Sequence, residues 1–258
     1  MIIDTIMYNG EADMLAGRLE TLAPFTDFHV IVESPVTHRG VPKPLHYALD
    51  ADRFRAWHGK IIYVAADLPD DPDPWVREHA QRDAAWRQVD ALASDGDRVL
   101  ICDVDEFPSA GALAWEGRGA VSLWMRTALF AVDWVVPPSH PLPPTAVMAT
   151  AGWLRKTGGS LARARDKRGI YPVIQDGGWH FSWIGGPEAQ AAKLDFSTCH
   201  REIGQTPEAG LIRSGARWRT DESGGGIPVV PAEVDETWPA FIRERRCPEA
   251  WFRPQPHG

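Results

Sequence analysis

Residues able to do chemistry are densest in Cys102-Asp103-Val104-Asp105-Glu106-Phe107-Pro108, where a single valine interrupts three carboxylates. An apolar run, Val99 to Cys102, leads into them and reads as a buried strand, which Pro108 then stops. Along an extended backbone Asp103 and Asp105 point the same way. Like charges so placed repel unless a cation lies between them. Carboxylate oxygens suit Mg²⁺ or Mn²⁺, which keep several waters and share themselves with substrate phosphates. A plainer role is equally open, because Asp105 or Ser109 could cap a helix suggested by Ala110 to Trp115.

Two other stretches carry polar groups in suggestive patterns. In Gly177-Gly178-Trp179-His180-Phe181-Ser182-Trp183, alternation sets His180 and Ser182 opposite three aromatic rings. A histidine in that setting is commonly a packed core residue; beside two carboxylates it would be a third metal ligand. From Trp153 to Arg168 the chain carries Arg155, Lys156, Arg163, Arg165, Lys167 and Arg168, with Asp166 as the one acid. Such a run is either a solvated loop or a clamp for a diphosphate or another anion.

The elements that must position these groups alternate. Ile2 to Tyr8, Phe28 to Val32, Lys60 to Ala65 and Val99 to Cys102 read as strands. Between them, Ala12 to Ala23 and Trp75 to Ala93 have helical periodicity, and Glu78 and Arg82 stand at ion-pair spacing in the second. The proline-broken loop from Ser34 to Tyr47 holds Arg39 and Lys43. Strand and helix in succession predict an α/β fold with a mostly parallel central sheet. Ligands of such sheets bind at the carboxyl ends of the strands, where Asn9, Glu33 and the 103–106 cluster fall. After Gly119 helix signals are scarce until Pro187, and Trp238 to Arg246 reads as a last helix.

Composition narrows the partners. At 258 residues, 44% hydrophobic and 24% charged, the chain is ordinary for a globular protein with a sizeable core. A net charge of -8 disfavours nucleic-acid gripping as the main task. Cys102, Cys199 and Cys247 make no metal or disulfide pattern and are expected as reduced thiols. The start has no signal-peptide pattern and no apolar run is long enough for a membrane span, so the expected location is cytoplasmic.

Taken together, the blocks resemble glycosyltransferase family 17, whose members add a bisecting β-1,4-linked N-acetylglucosamine to N-glycans. The resemblance rests on Asn9-Gly10-Glu11-Ala12-Asp13-Met14-Leu15, Val32-Glu33-Ser34, Gly40-Val41-Pro42-Lys43-Pro44-Leu45, Glu78 with Arg82-Asp83, Asp103-Val104-Asp105-Glu106, Gly178-Trp179-His180-Phe181-Ser182 and His200-Arg201-Glu202. It implies a GT-A-like fold, with a Rossmann-like nucleotide-sugar half at 1–118 and an acceptor-side half at 119–258. It also implies a metal-dependent, inverting transfer from a UDP-sugar. On this sequence Asp103, Asp105 and His180 would hold Mn²⁺ or Mg²⁺, with Asp103 also facing the ribose. Tyr8, Asn9 and Glu33 would contact nucleobase and ribose, and Lys43 and Arg82 would neutralise phosphate. Inversion needs a base beside the acceptor hydroxyl; Asp176 is the candidate, with Glu106 and Glu202 as rivals. The acceptor is open among a glycan, a surface polysaccharide, a lipid-linked sugar and a hydroxylated base in DNA.

Two other classes compete. Haloacid-dehalogenase phosphatases also use D-x-D, but at their first strand and followed by Thr or Val, where this chain has its fourth strand and Phe107. A non-catalytic sugar-nucleotide or glycan-binding protein could share the fold, though it could dispense with the two aspartates and His180.

Overall fold

A computed structural model of the chain describes residues 1–140, 142–186, 188, 189, 193, 218, 219 and 226–253. Most of the helix expected from Pro187, together with Cys199 to Glu202, lies outside the described residues. The chain forms two compact units, Met1–Met125 with Pro143–Gly178, and Arg126–Leu142 with Trp179–Gly258.

The first unit is α/β. Strands β1 (Ile2–Met7), β2 (Phe28–Glu33), β3 (Ile61–Ala65) and β4 (Arg98–Asp103) are mutually parallel in the order β3-β2-β1-β4. Parallel neighbours need crossovers, supplied by α1 (Ala12–Leu22), by α2 (His46–Asp50) with a 3-10 segment, and by α3 (Pro74–Ala84) and α4 (Trp86–Leu92). The helix expected over Trp75 to Ala93 is thus two, joined at Ala85, whose N–H reaches back to Arg82 O in a tightened turn. Beyond β4 the sheet turns antiparallel, through β8 (Ala146–Thr150) and the start of β6 (Ala120–Leu129).

Both faces of this sheet are covered, as a parallel sheet requires. Ile3, Val99 and Ile101 pack on one side with Val89, Leu154 and Leu161, while Ile2, Leu100 and Cys102 pack on the other with Leu22 and Leu113. The region from Gly119, expected to be poor in helix, contains α6 (Ala151–Lys156) and α7 (Leu161–Asp166). Local cues for α7 are weak, but Ser160 caps it by accepting from Arg163 N at 3.0 Å, and Asp83 of α3 receives Ser160 Oγ and Ala162 N at 2.9 and 2.8 Å.

The second unit is built on the end of β6, β7 (Trp134–Val135) and β12 (Val230–Pro231). Leu129, Phe130, Trp134 and Trp183 form its core. A two-residue pair, β10 (Trp218–Arg219) with β11 (Gly226–Ile227), is antiparallel. The last helix, α8 (Ala240–Arg243), is shorter than expected: Pro239 sets its start and Arg245 at φ 51° ends it.

Candidate functional site at the carboxyl ends of β1, β2 and β4

Strand order reverses at β1, because β2 follows it on one side and β4 lies on the other. That switch point is where open parallel sheets hold ligands. Met7 pairs in register with Asp103, so Tyr8 and Asn9 leave one strand beside Val104 and Asp105 leaving the next. Two short elements follow the acidic turn, β5 (Glu106–Pro108) and α5 (Ala110–Leu113). Ser109 caps α5 by accepting from Ala112 N at 3.1 Å, so the capping role falls to Ser109.

Asp103 is side-chain 37% exposed, and each of its oxygens meets a guanidinium: Oδ1 accepts from Arg82 at 2.9 Å and Oδ2 from Arg165 at 2.6 Å. Glu106, expected as an alternative base, is 1% exposed and receives Arg165 through two nitrogens, at 2.7 and 2.9 Å. It also accepts Asp103 N at 2.7 Å, so both oxygens are used in holding the turn and the geometry makes it a structural group. Below the turn lies a buried triad. Arg18 grips Asp4 at 2.6 and 3.0 Å, His29 meets Asp4 at 3.0 Å, and Arg18 also donates to the carbonyls of Asp103 and Glu106. Burial alone would raise the Asp4 carboxyl, but Arg18 and His29 outweigh it and hold the pKa at about 2.

Glu33 and Lys43, both expected beside the donor, are directed at each other at 2.8 Å. The fully buried Glu33 carboxylate also accepts His46 N, Tyr47 N and Tyr63 Oη at 2.7, 2.9 and 3.2 Å, which anchors the start of α2. Tyr8 is 1% exposed, with its hydroxyl 3.4 Å from Asp50. Burial, with Asp50, Glu11 and Glu33 nearby, keeps that hydroxyl protonated. Asn9 differs: its Oδ1 is buried with no hydrogen-bond partner among the described residues. Asp105 is 8% exposed.

Asp176 sits on the exposed part of β9 (Val173–Ser182), and its carbonyl accepts Ser109 Oγ at 2.6 Å. This part of β9 runs against β5 because Gly178 lacks a side chain; a Cβ there would collide with the Phe107 carbonyl. Gly178 also has φ 130°, open to glycine alone. His180 belongs to the second unit, half-buried between buried Trp179 and Phe181, which confirms the alternation.

Three members of the basic run bind the protein's own oxygens, and of these Arg165 is buried. Arg155 binds Asp90 and Asp95 at 2.7 Å each, Arg165 is the buried partner of Asp103 and Glu106, and Arg168 donates to Pro144 O at 3.0 Å. Sequence reasoning named Arg165 only as a member of the basic run and Arg18 only within a family block, and gave neither a partner. Neither has a local signal, since each acts through partners distant in the chain.

Among the described residues no group of three His, Cys, Asp or Glu side chains gathers as a metal cage. Mg²⁺ and Mn²⁺ need only one or two carboxylates when substrate phosphates complete the shell; the acidic turn carries Asp105 and Asp103, the latter with an arginine on each oxygen. Neither Cys102 nor Cys247 is in a disulfide among the described residues. No described helix is long and apolar enough to cross a membrane.

The sequence profile of glycosyltransferase family 17 matches residues 1–184. No curated protein matches the chain. Among solved structures, galactosyltransferase LgtC in complex with donor and acceptor sugar analogues aligns at 14% identity, over 60% of each chain, with a TM-score of 0.35. An active-site mutant of LgtC gives the same identity and TM-score, over 60% of this chain and 59% of the other. The chain thus spans about three fifths of the length of those structures.

Proposed function

Because the chain belongs to glycosyltransferase family 17, we propose that it moves a sugar, N-acetylglucosamine or another hexose, from a UDP-sugar to a hydroxyl acceptor with inversion. The observation that carries the donor site is the meeting of β1 and β4 at the switch point, with the unpartnered Asn9 Oδ1 on one side and Asp103 and Asp105 on the other. A buried acceptor without a donor costs free energy, and a nucleobase or ribose N–H or O–H would satisfy it. The side chains for the donor are then Asn9, Asp103, Asp105 and Arg82. Tyr8, Glu33 and Lys43 serve this site by shaping its wall.

The chemistry follows from charge. As the bond between the anomeric carbon and the diphosphate oxygen breaks, negative charge grows on the leaving group, and Arg82 is placed to receive it. Asp105, with Asp103, would hold Mn²⁺ or Mg²⁺, which would supply further positive charge to that leaving group. The acceptor oxygen forms the new bond on the opposite face and gives its proton to a carboxylate, for which Asp176 is exposed on the strand beside β5. The donor reading rests on the first unit alone and takes no contribution from His180.

The test is to incubate the purified protein with a panel of nucleotide sugars, with Mn²⁺ or with chelator, following nucleotide release and thermal stabilisation. The expected result is metal-dependent stabilisation by one UDP-sugar, with slow hydrolysis that Asp105→Ala abolishes. Indifference to every nucleotide sugar overturns the proposal.

A further inference from the structure

The acidic turn is held by a helix that the donor reading does not require. Arg165 of α7 places one guanidinium on three partners: Glu106 through two nitrogens, Asp103 Oδ2 at 2.6 Å and Ile101 O at 3.1 Å. Glu106 closes the ring by accepting the backbone N–H of Asp103 at 2.7 Å. The side chain and the backbone of Asp103 are therefore tied to the same arginine. Arg82 holds the other oxygen of Asp103, but its further contact is with Glu78 at 3.4 Å. Both guanidiniums are buried, but Arg165, unlike Arg82, ties Asp103 to Glu106 and to the β4 backbone.

We propose that Arg165 is a positioning residue of the donor site, fixing the Asp103 carboxylate through a guanidinium that Glu106 holds in place. The assignment rests on the donor-site reading above and adds to it a group on α7 that acts only through Asp103. A planar fork is needed, because one side chain must reach two carboxylates and a carbonyl at once; an ammonium has the charge without the geometry. The docking of α7 supplies the aim. Asp83, next to Arg82 in α3, accepts Ser160 Oγ and Ala162 N, so one contact sets both helices that deliver guanidiniums to Asp103. Those two arginines face Asp103 and Glu106, so the turn enters donor binding with its geometry set.

The experiment is a calorimetric titration of UDP with Mn²⁺ into the wild-type protein, Arg165→Lys, Asp103→Asn and the double variant, with melting curves for each. Arg165→Lys is expected to weaken UDP by about tenfold, and in the Asp103→Asn background to change it by less than about twofold. That non-additivity separates positioning from a general loss of stability, which would lower the melting temperature and leave the two binding losses to multiply. UDP binding unchanged in Arg165→Lys, or fully multiplicative losses, overturns the proposal while leaving the donor site standing. Failure of the wild-type protein to bind any uridine nucleotide overturns the donor reading and this proposal with it. Should Arg165→Lys not fold, Asp83→Asn loosens α7 without touching the cluster. It is expected to weaken UDP with the same dependence on Asp103, and independence from Asp103 overturns the proposal.

Discussion

At the scale of single residues, the proposed donor site stands on charges that would be costly if any one were removed. Asp4 is the clearest case, fully buried and held near pKa 2 by Arg18 and His29 against the penalty of burial. A carboxyl depressed on folding contributes stability that is complete above its unfolded value, near 3.8, and is lost as pH falls through about 2. The shift corresponds to roughly 2 kcal/mol. Acid unfolding of the wild-type protein should therefore steepen between about pH 4 and pH 2, and Asp4→Asn should flatten that limb while lowering stability at neutral pH, because Arg18 is left buried without its partner. Equilibrium denaturation across that window measures both. His38 acts higher on the scale. Burial lowers its pKa although Glu78 and its Gln81 contact favour the charged form, so it takes from stability as pH falls below its ordinary value.

At the scale of elements, the anchoring of α2 by Glu33 is the feature with the largest mechanical consequence. One buried carboxylate receives Lys43, two backbone N–H groups at the start of the helix and Tyr63. Its removal leaves an ammonium that is side-chain 8% exposed and two amides without acceptors. Glu33→Ala should cost about 3 kcal/mol. The amides of His46 and Tyr47 should lose protection from hydrogen exchange while those of β1 and β4 keep theirs. Equal loss across all these strands would mean that Glu33 supports the whole sheet rather than the loop and helix after it. The helices α6 and α7 teach a related lesson. Their arginines suggested a loop or a clamp, yet Ser160, Asp83, Asp90 and Asp95 satisfy caps and charges that only a folded neighbour provides.

At the scale of the whole molecule, net charge and the fate of the basic run bear on which acceptors to test. A protein of net charge -8 grips DNA only through a concentrated patch. Arg155, Arg165 and Arg168 of the run are bound to the protein's own oxygens. Duplex DNA should therefore not be retained at ~100 mM salt, as a mobility-shift titration would measure. Retention that falls steeply with added salt would instead return a hydroxylated base to the list of acceptors.

What the sequence determined by itself was local or periodic. Alternation of strand and helix signals specified a mostly parallel sheet, and two-residue periodicity correctly set Trp179 and Phe181 on the buried side of β9, away from His180. An apolar strand ending in carboxylates marked the site, and the order of short motifs marked the family that matches residues 1–184. The Glu78–Arg82 pair follows from helical spacing, but tertiary structure alone decided the charge pairs between elements. Nothing near Arg165 announces Asp103 as its partner, and nothing near Glu33 distinguishes a ligand contact from an anchor for α2. The physical reason is that an ion pair in low dielectric is set by how helices dock, here by Asp83 joining α3 to α7. Docking depends on surfaces far apart in the chain, whereas periodicity and motif spacing are properties of neighbours.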